Sequence, residues 1–126
     1  MIFRLRSGAT ATELAKAALG EEGLKAYGAP FDIRTALVLA VYERLKPGGS
    51  YVIVDHAAAV GAGTSVAQSL HRIEPASVRE EVEAAGFVLD AESAMLANKD
   101  DRHSIKAFDP SIKGETDRFA YRFVKP

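Results

Sequence analysis

The sequence contains no cysteine and no tryptophan. Without cysteine there is no disulfide framework and no thiolate metal site, though the compartment stays open. No apolar stretch approaches the roughly 18–20 residues that cross a bilayer. The start, Met1-Ile2-Phe3-Arg4-Leu5-Arg6, has basic residues but no apolar core of signal-peptide length after it. The expected location is therefore cytoplasmic. Neither sign of charge is in excess: 16 Lys and Arg face 17 Asp and Glu, for a formal charge of −1. With no basic run, nucleic-acid binding by general electrostatics is excluded. Three histidines are present, but no His-x-x-x-His or Glu-x-x-His spacing supports a metal site.

What remains is enough chain for one domain. With 126 residues, 48% of them hydrophobic, it can bury a real core. The rest is organised around residues 45–56, Leu-Lys-Pro-Gly-Gly-Ser-Tyr-Val-Ile-Val-Asp-His. Pro47 cannot continue a helix, and Gly48 and Gly49 can take the positive φ that ends one. Tyr51 to Val54 is a continuous β-favouring run, as expected of a strand covered on both faces. Asp55 and His56 then fall at its carboxyl end, where open α/β sheets collect ligands.

Before this stretch, Thr10-Ala11-Thr12-Glu13 fits a capping box for a short helix to Leu19. Glu21 to Tyr27 reads as a further turn or two, and Ala29-Pro30 as a break. Asp32 is the expected N-cap of a helix from Ile33 to about Leu45, with Ile33, Leu37, Ala40, Val41 and Leu45 inward. After the strand, residues 57–67 are small and glycine-containing, and read as a mobile loop over a site. Pro75 suits a first helical position and Gly86 a C′ position, predicting a helix over 75–85 with Val78, Val82 and Ala85 inward. Glu80, Glu81 and Glu83 face water. Phe87 to Met95 alternates like a strand near the sheet's edge. Asn98 to Asp117 is a long polar loop. Arg118 to Val124 is the last strand, with Phe119, Tyr121 and Phe123 on one side.

The series Leu45-Lys46-Pro47-Gly48-Gly49, Asp55-His56, His71-Arg72-Ile73, Glu83-Ala84-Ala85-Gly86-Phe87, Asp100-Asp101-Arg102 and Gly114 to Phe119, up to Lys125-Pro126, resembles class I S-adenosylmethionine-dependent methyltransferases. It is similar to a bacterial branch of predicted small-molecule methyltransferases, over roughly the last two thirds of the chain. The resemblance implies an α/β fold: part of a Rossmann-like methyltransferase sheet with flanking helices, its last strand antiparallel and inserted. Strand order becomes first, third, second. It also implies S-adenosylmethionine as cofactor and a small-molecule methyl acceptor. In such enzymes the cofactor sits at a Gly-rich loop after strand one and an acid ending strand two. Nothing before Leu45 reads that way, so no cofactor-binding residue is assigned. The expectation is one domain, 1–126, with 1–31 a helical extension and 32–126 the carboxyl-terminal half of a methyltransferase-like domain. On that expectation the chain is a truncated gene product, a fragment or one part of a two-chain enzyme, and a truncated chain is expected to lack activity by itself.

Methyl transfer needs alignment and sometimes a base. Asp55, His56 and His71 are the candidates, with Arg72 as an anion clamp; the resemblance places them on the substrate side. Each has a structural reading too. Asp55 can cap a neighbouring loop, and either histidine can be a hydrogen-bonded, partly buried side chain. His103 is expected to be inert and Asp100-Asp101 to cap or face solvent. Asp117-Arg118 is expected to form a local ion pair at the opposite strand end from the site.

Other readings remain open. One is a non-catalytic, dimerising or small-ligand-binding α/β module. Another is a nucleotide loop at Gly61-Ala62-Gly63, which lacks the third glycine of a dinucleotide fingerprint. A half sheet also leaves one edge of the 50–55 strand without its neighbour. That edge would pair with another copy or a second chain, be covered by residues 1–30, or favour aggregation.

Overall fold

The structure, a computed structural model, describes residues 33–126, and side chains from Leu37 onward. The expectations for the capping box at Thr10, the segments to Tyr27, the break at Pro30 and the Asp32 cap lie outside those residues. The described elements are α1 (Ile33–Arg44), β1 (Ser50–His56), α2 (Ala67–Leu70), α3 (Pro75–Ala84), β2 (Val88–Ser93) and β3 (Arg118–Val124). They form an α/β arrangement: a three-stranded antiparallel open sheet with flanking helices.

The turn after α1 forms for the reasons legible in its residues. Gly48 has φ +84° and its amide donates to the Lys125 carbonyl at 2.7 Å. At Gly49 a Cβ would come within 2.9 Å of the Lys46 carbonyl oxygen, so only glycine fits without a shift. The Lys125 ammonium donates to the carbonyls of Tyr42 and Leu45 at 2.7 and 2.9 Å. A cation thus satisfies carbonyls at the helix's negative end.

The sheet order is β1-β3-β2, with β3 antiparallel to both neighbours. This is the expected first, third, second order. The register pairs Tyr51 with Phe123, Ile53 with Tyr121 and Asp55 with Phe119. That face carries the core. Ile53, Phe119 and Phe123 pack with Val38 of α1, Val78 and Val82 of α3, and Ile73 and Phe87. Each fully buried side chain of this size contributes about 1.5–3 kcal/mol of transfer free energy. Pro75 begins α3, and Gly86 follows it at φ +113°. There a Cβ would meet the Tyr42 ring at 2.9 Å.

Two expectations are corrected here. β1 is not covered on both faces: Val52 and Val54 are 60% and 49% exposed. The described core, including α1 and α3, packs on the Ile53 face, and the register puts Val88 on the same opposite face as the two valines. Strand β2 is at the edge as expected, but its alternation is interrupted. A bulge between Leu89 and Ala91 puts Leu89 opposite Phe123 and Ala91 opposite Arg122, on different faces. Asp90 pairs with Arg122 at 2.7 Å.

Among the described residues β1 also has an unpaired edge. The Gly49 carbonyl and the Ala57 amide bond to the chain of β3 and its approach. Alternation then turns the backbone groups of Val52 and Val54 away from β3. Beyond the strand this edge is closed by Ile73, which pairs in parallel with Ala57 and donates its amide to the His56 carbonyl at 3.0 Å. Among the described residues no strand pairs with the Val52–Val54 edge.

Candidate functional site

Antiparallel insertion has a geometric consequence. A strand running against its neighbours begins where they end. The carboxyl ends of β1 and β2 and the amino end of β3 therefore meet at one end of the sheet, with His56 opposite Arg118 and Ser93 opposite Ala120. Asp117 and Arg118 thus lie at the same end as Asp55 and His56. The expected placement at the opposite end is wrong. Their mutual ion pair is also absent among the described contacts: Asp117 bonds the His103 imidazole at 2.8 Å and the Asn98 amide at 2.9 Å.

His56 is the centre of this end. Its Nδ1 lies 2.7 Å from the Thr116 hydroxyl, and Thr116 is buried. Burial pushes the imidazole below its ordinary value. The Asp55 carboxylate pulls the other way, and Arg118 and Arg72 add to the lowering. His56 is therefore neutral at neutral pH. In the tautomer with hydrogen on Nδ1, Thr116 accepts that hydrogen and Nε2 presents its lone pair.

Asp55 is buried, and one carboxylate oxygen accepts the His56 backbone amide at 2.7 Å. It shapes the strand end beneath the imidazole. His71 is exposed and follows α2 in the left-handed region at φ 54°. Its ring and that of His56 each stand 5.4 Å from the ring of Phe108. Phe108 joins the two histidines and is itself 45% exposed.

Arg72 is fully buried. It donates to both Asp101 oxygens at 2.7 and 3.0 Å and to the carbonyls of Ala57 and Ile105. Its guanidinium ties the long loop to the end of β1 and is not presented to a ligand. Asp101 is correspondingly buried: of its two expected roles it takes the capping one, accepting the His103 and Asp117 amides at 3.0 and 2.7 Å, and does not face solvent. Burial alone would raise its pKa, but the bonds from Arg72 and from the amides of Asp117 and His103 bring it below the ordinary range. The Ala107 amide donates to the Leu70 carbonyl at 2.9 Å, which sets Phe108 against the histidines. Thr116, Phe108 and Arg118 were not singled out as site residues from the sequence. Only the inserted antiparallel strand signals Thr116 and Arg118, because it carries its first residues to this end.

A cavity of about 410 Å³ opens here, lined by Ala57, Ser93, Asp117, Arg118, Phe119 and Tyr121 among others. A larger one, about 570 Å³, lies between α1 and α3, against Leu39, Thr64, Ser77 and Ala85. Among the described residues its titratable lining is Glu80 and Glu81, so the smaller cavity holds the richer chemistry. The Gly61–Gly63 loop does not make a free phosphate cradle. The Glu74 carboxylate takes the Gly63 amide at 2.7 Å, and bonds from the amides of Gly61 and Gly63 lower its pKa. Among the described residues no group of three His, Cys, Asp or Glu side chains is arranged to hold a metal. None of their helices is long and apolar enough to cross a membrane.

The fold and site define an open α/β sheet with two histidines about one phenylalanine ring, and a small cavity, at its carboxyl end. No protein-family model, no curated protein and no solved structure matches the chain.

Proposed function

We propose that the chain is an S-adenosylmethionine-dependent methyltransferase of the class I type acting on a small molecule, and that residues 33–126 form its acceptor side. The observation that carries this reading is the antiparallel β3 inserted between β1 and β2. That is the sheet variant the sequence resemblance implies, and it brings His56, Thr116 and Arg118 together. S-adenosylmethionine supplies an activated methyl group when bound. The described residues do not fit the cofactor. No glycine-rich loop opens a helix directly after a strand, and the Gly61–Gly63 amides face Glu74. On this reading the donor side has to be supplied from outside residues 33–126.

This chain's own contribution is on the acceptor. Neutral His56 can take at Nε2 the proton that an O–H or N–H acceptor loses on attack. Phe108 and His71 supply flat surface beside it. Calorimetric titration of the whole chain with S-adenosylmethionine tests the reading. Saturable heat at micromolar ligand is expected. A folded protein giving no heat at millimolar ligand contradicts it.

A second reading, a non-catalytic assembly module, is favoured by the exposed Val52, Val54 and Val88 face and the open β1 edge. A second copy pairing along that edge would extend the sheet. Hydrogen exchange decides this: protected Val52 and Val54 amides in a dimer support it, and rapid exchange in a stable monomer excludes it.

A further inference from the structure

Two of the described arginines are shielded from full exposure, Arg72 and Arg118. They end up in opposite states. Arg72 is saturated by a carboxylate and two carbonyls. Arg118 forms no ion pair with any described residue, and its Nε is buried without a hydrogen-bond partner. A buried donor left unmet is costly, and a guanidinium presents a fork matched to a carboxylate or phosphate.

Its position gives the rest of the guanidinium a use. Arg118 faces His56 across the ladder, on the same face of the sheet. The alternation makes this a pair without mutual backbone bonds, the type that brings side chains closest. Arg118 is near enough to help lower the imidazole's pKa. It also lines the 410 Å³ cavity, which is of small-molecule size.

The geometry points to Arg118 as the anion-binding residue at this end of the sheet, holding the carboxylate of a small organic acid in the cavity it lines, with His56 its cross-strand neighbour. The inference rests on the acceptor-side reading and names its substrate class. A monocarboxylate is favoured over a phosphate by the rest of the lining. Asp117 and Glu92 also border the cavity. The Asp117 oxygens are engaged by Asn98 and His103, while Glu92 leaves one wall negative. One guanidinium beside such walls suits a single negative charge, and a dianion would be repelled. Phe119 and Tyr121 provide aromatic wall for the acid's body.

The test is NMR titration of the whole chain with benzoate and, separately, with inorganic phosphate, following the Arg118 Nε–Hε and His56 ring signals. Benzoate is expected to shift both saturably and phosphate to shift neither. Arg118→Gln should abolish the benzoate response. Arg118→Lys, which keeps the charge but loses the fork, should weaken it on the order of tenfold. Dispersed amide spectra check that both variants fold, and if the glutamine variant does not, the lysine variant carries the test. No saturable benzoate shift, a shift unchanged in a folded variant, or a preference for phosphate would overturn the assignment. Donor calorimetry reads a different event. Benzoate binding without donor binding upholds the anion site and removes the methyl-transfer reading; the reverse removes the anion site alone.

Discussion

The His56 imidazole is held by the Thr116 hydroxyl, Nδ1 to Oγ1 at 2.7 Å, between residues 60 apart in sequence. This contact fixes the ring at the end of β1 and leaves Nε2 for a ligand. It exists because β3 enters the sheet against its neighbours, so that the residue two before β3 arrives at the carboxyl end of β1.

His56 should make stability depend on pH. Burial first, with Arg118 and Arg72 adding to it against Asp55, sets its folded pKa below the ordinary 6.5. As pH falls, the unfolded chain therefore takes up the proton first. The contribution is fully present above about pH 6.5 and is lost as pH falls toward the folded value. Urea unfolding at a series of pH values should show this decline, and His56→Gln should flatten it. Ring-proton NMR should show His56 titrating below the ordinary histidine value. An ordinary His56 titration would contradict the buried, neutral assignment.

The Arg72–Asp101 pair should be the most sensitive tie in the loop. Both side chains are out of solvent, 2.7 Å apart. Removing one partner strands the other's charge, a loss of about 3–5 kcal/mol for Arg72→Ala or Asp101→Ala. Arg72→Met with Asp101→Leu should recover much of it. Because the Asp101 pKa is lowered, the pair's stabilisation is present above the ordinary 3.8 and is lost as pH falls through the folded value. Denaturant melts of the two single variants and the double variant check the coupling. Additive losses would contradict it.

Tyr51 should be better replaced. Its hydroxyl is buried with no hydrogen-bond partner, and burial raises its pKa far above the ordinary value. The ring packs 5.5 Å from Phe87, and phenylalanine keeps that contact. Tyr51→Phe should raise stability by about 1 kcal/mol. A destabilised variant would show that the hydroxyl has a partner in solution.

Much of the scaffold was legible because its signals are local. Pro75 and Gly86 bracket α3, and the alternation of Phe119, Tyr121 and Phe123 defines β3 to the residue. Coverage was not legible. The run from Tyr51 to Val54 reports hydrophobicity without saying what packs on it, and the Val52 face is bare of the described elements. The site was legible in part. Asp55, His56 and His71 follow from strand-end logic. Arg72 and Arg118 carry the same chemistry in sequence and were separated only by burial. Asp101, in a polar loop, gives no local sign that it neutralises Arg72. Phe108 reaches the histidines through the Ala107–Leu70 bond, a long-range tie without a sequence signature.

The most direct measurement is an amide-resolved NMR titration of the whole chain with S-adenosylmethionine and benzoate together. The account predicts saturable shifts at Asp55 to Ala58, His71 to Ile73, Phe108 and Thr116 to Arg118. Shifts confined to Leu39, Thr64, Ser77 and Ala85, around the larger cavity, would place the functional end elsewhere. A well-dispersed spectrum that neither ligand changes would contradict the account outright.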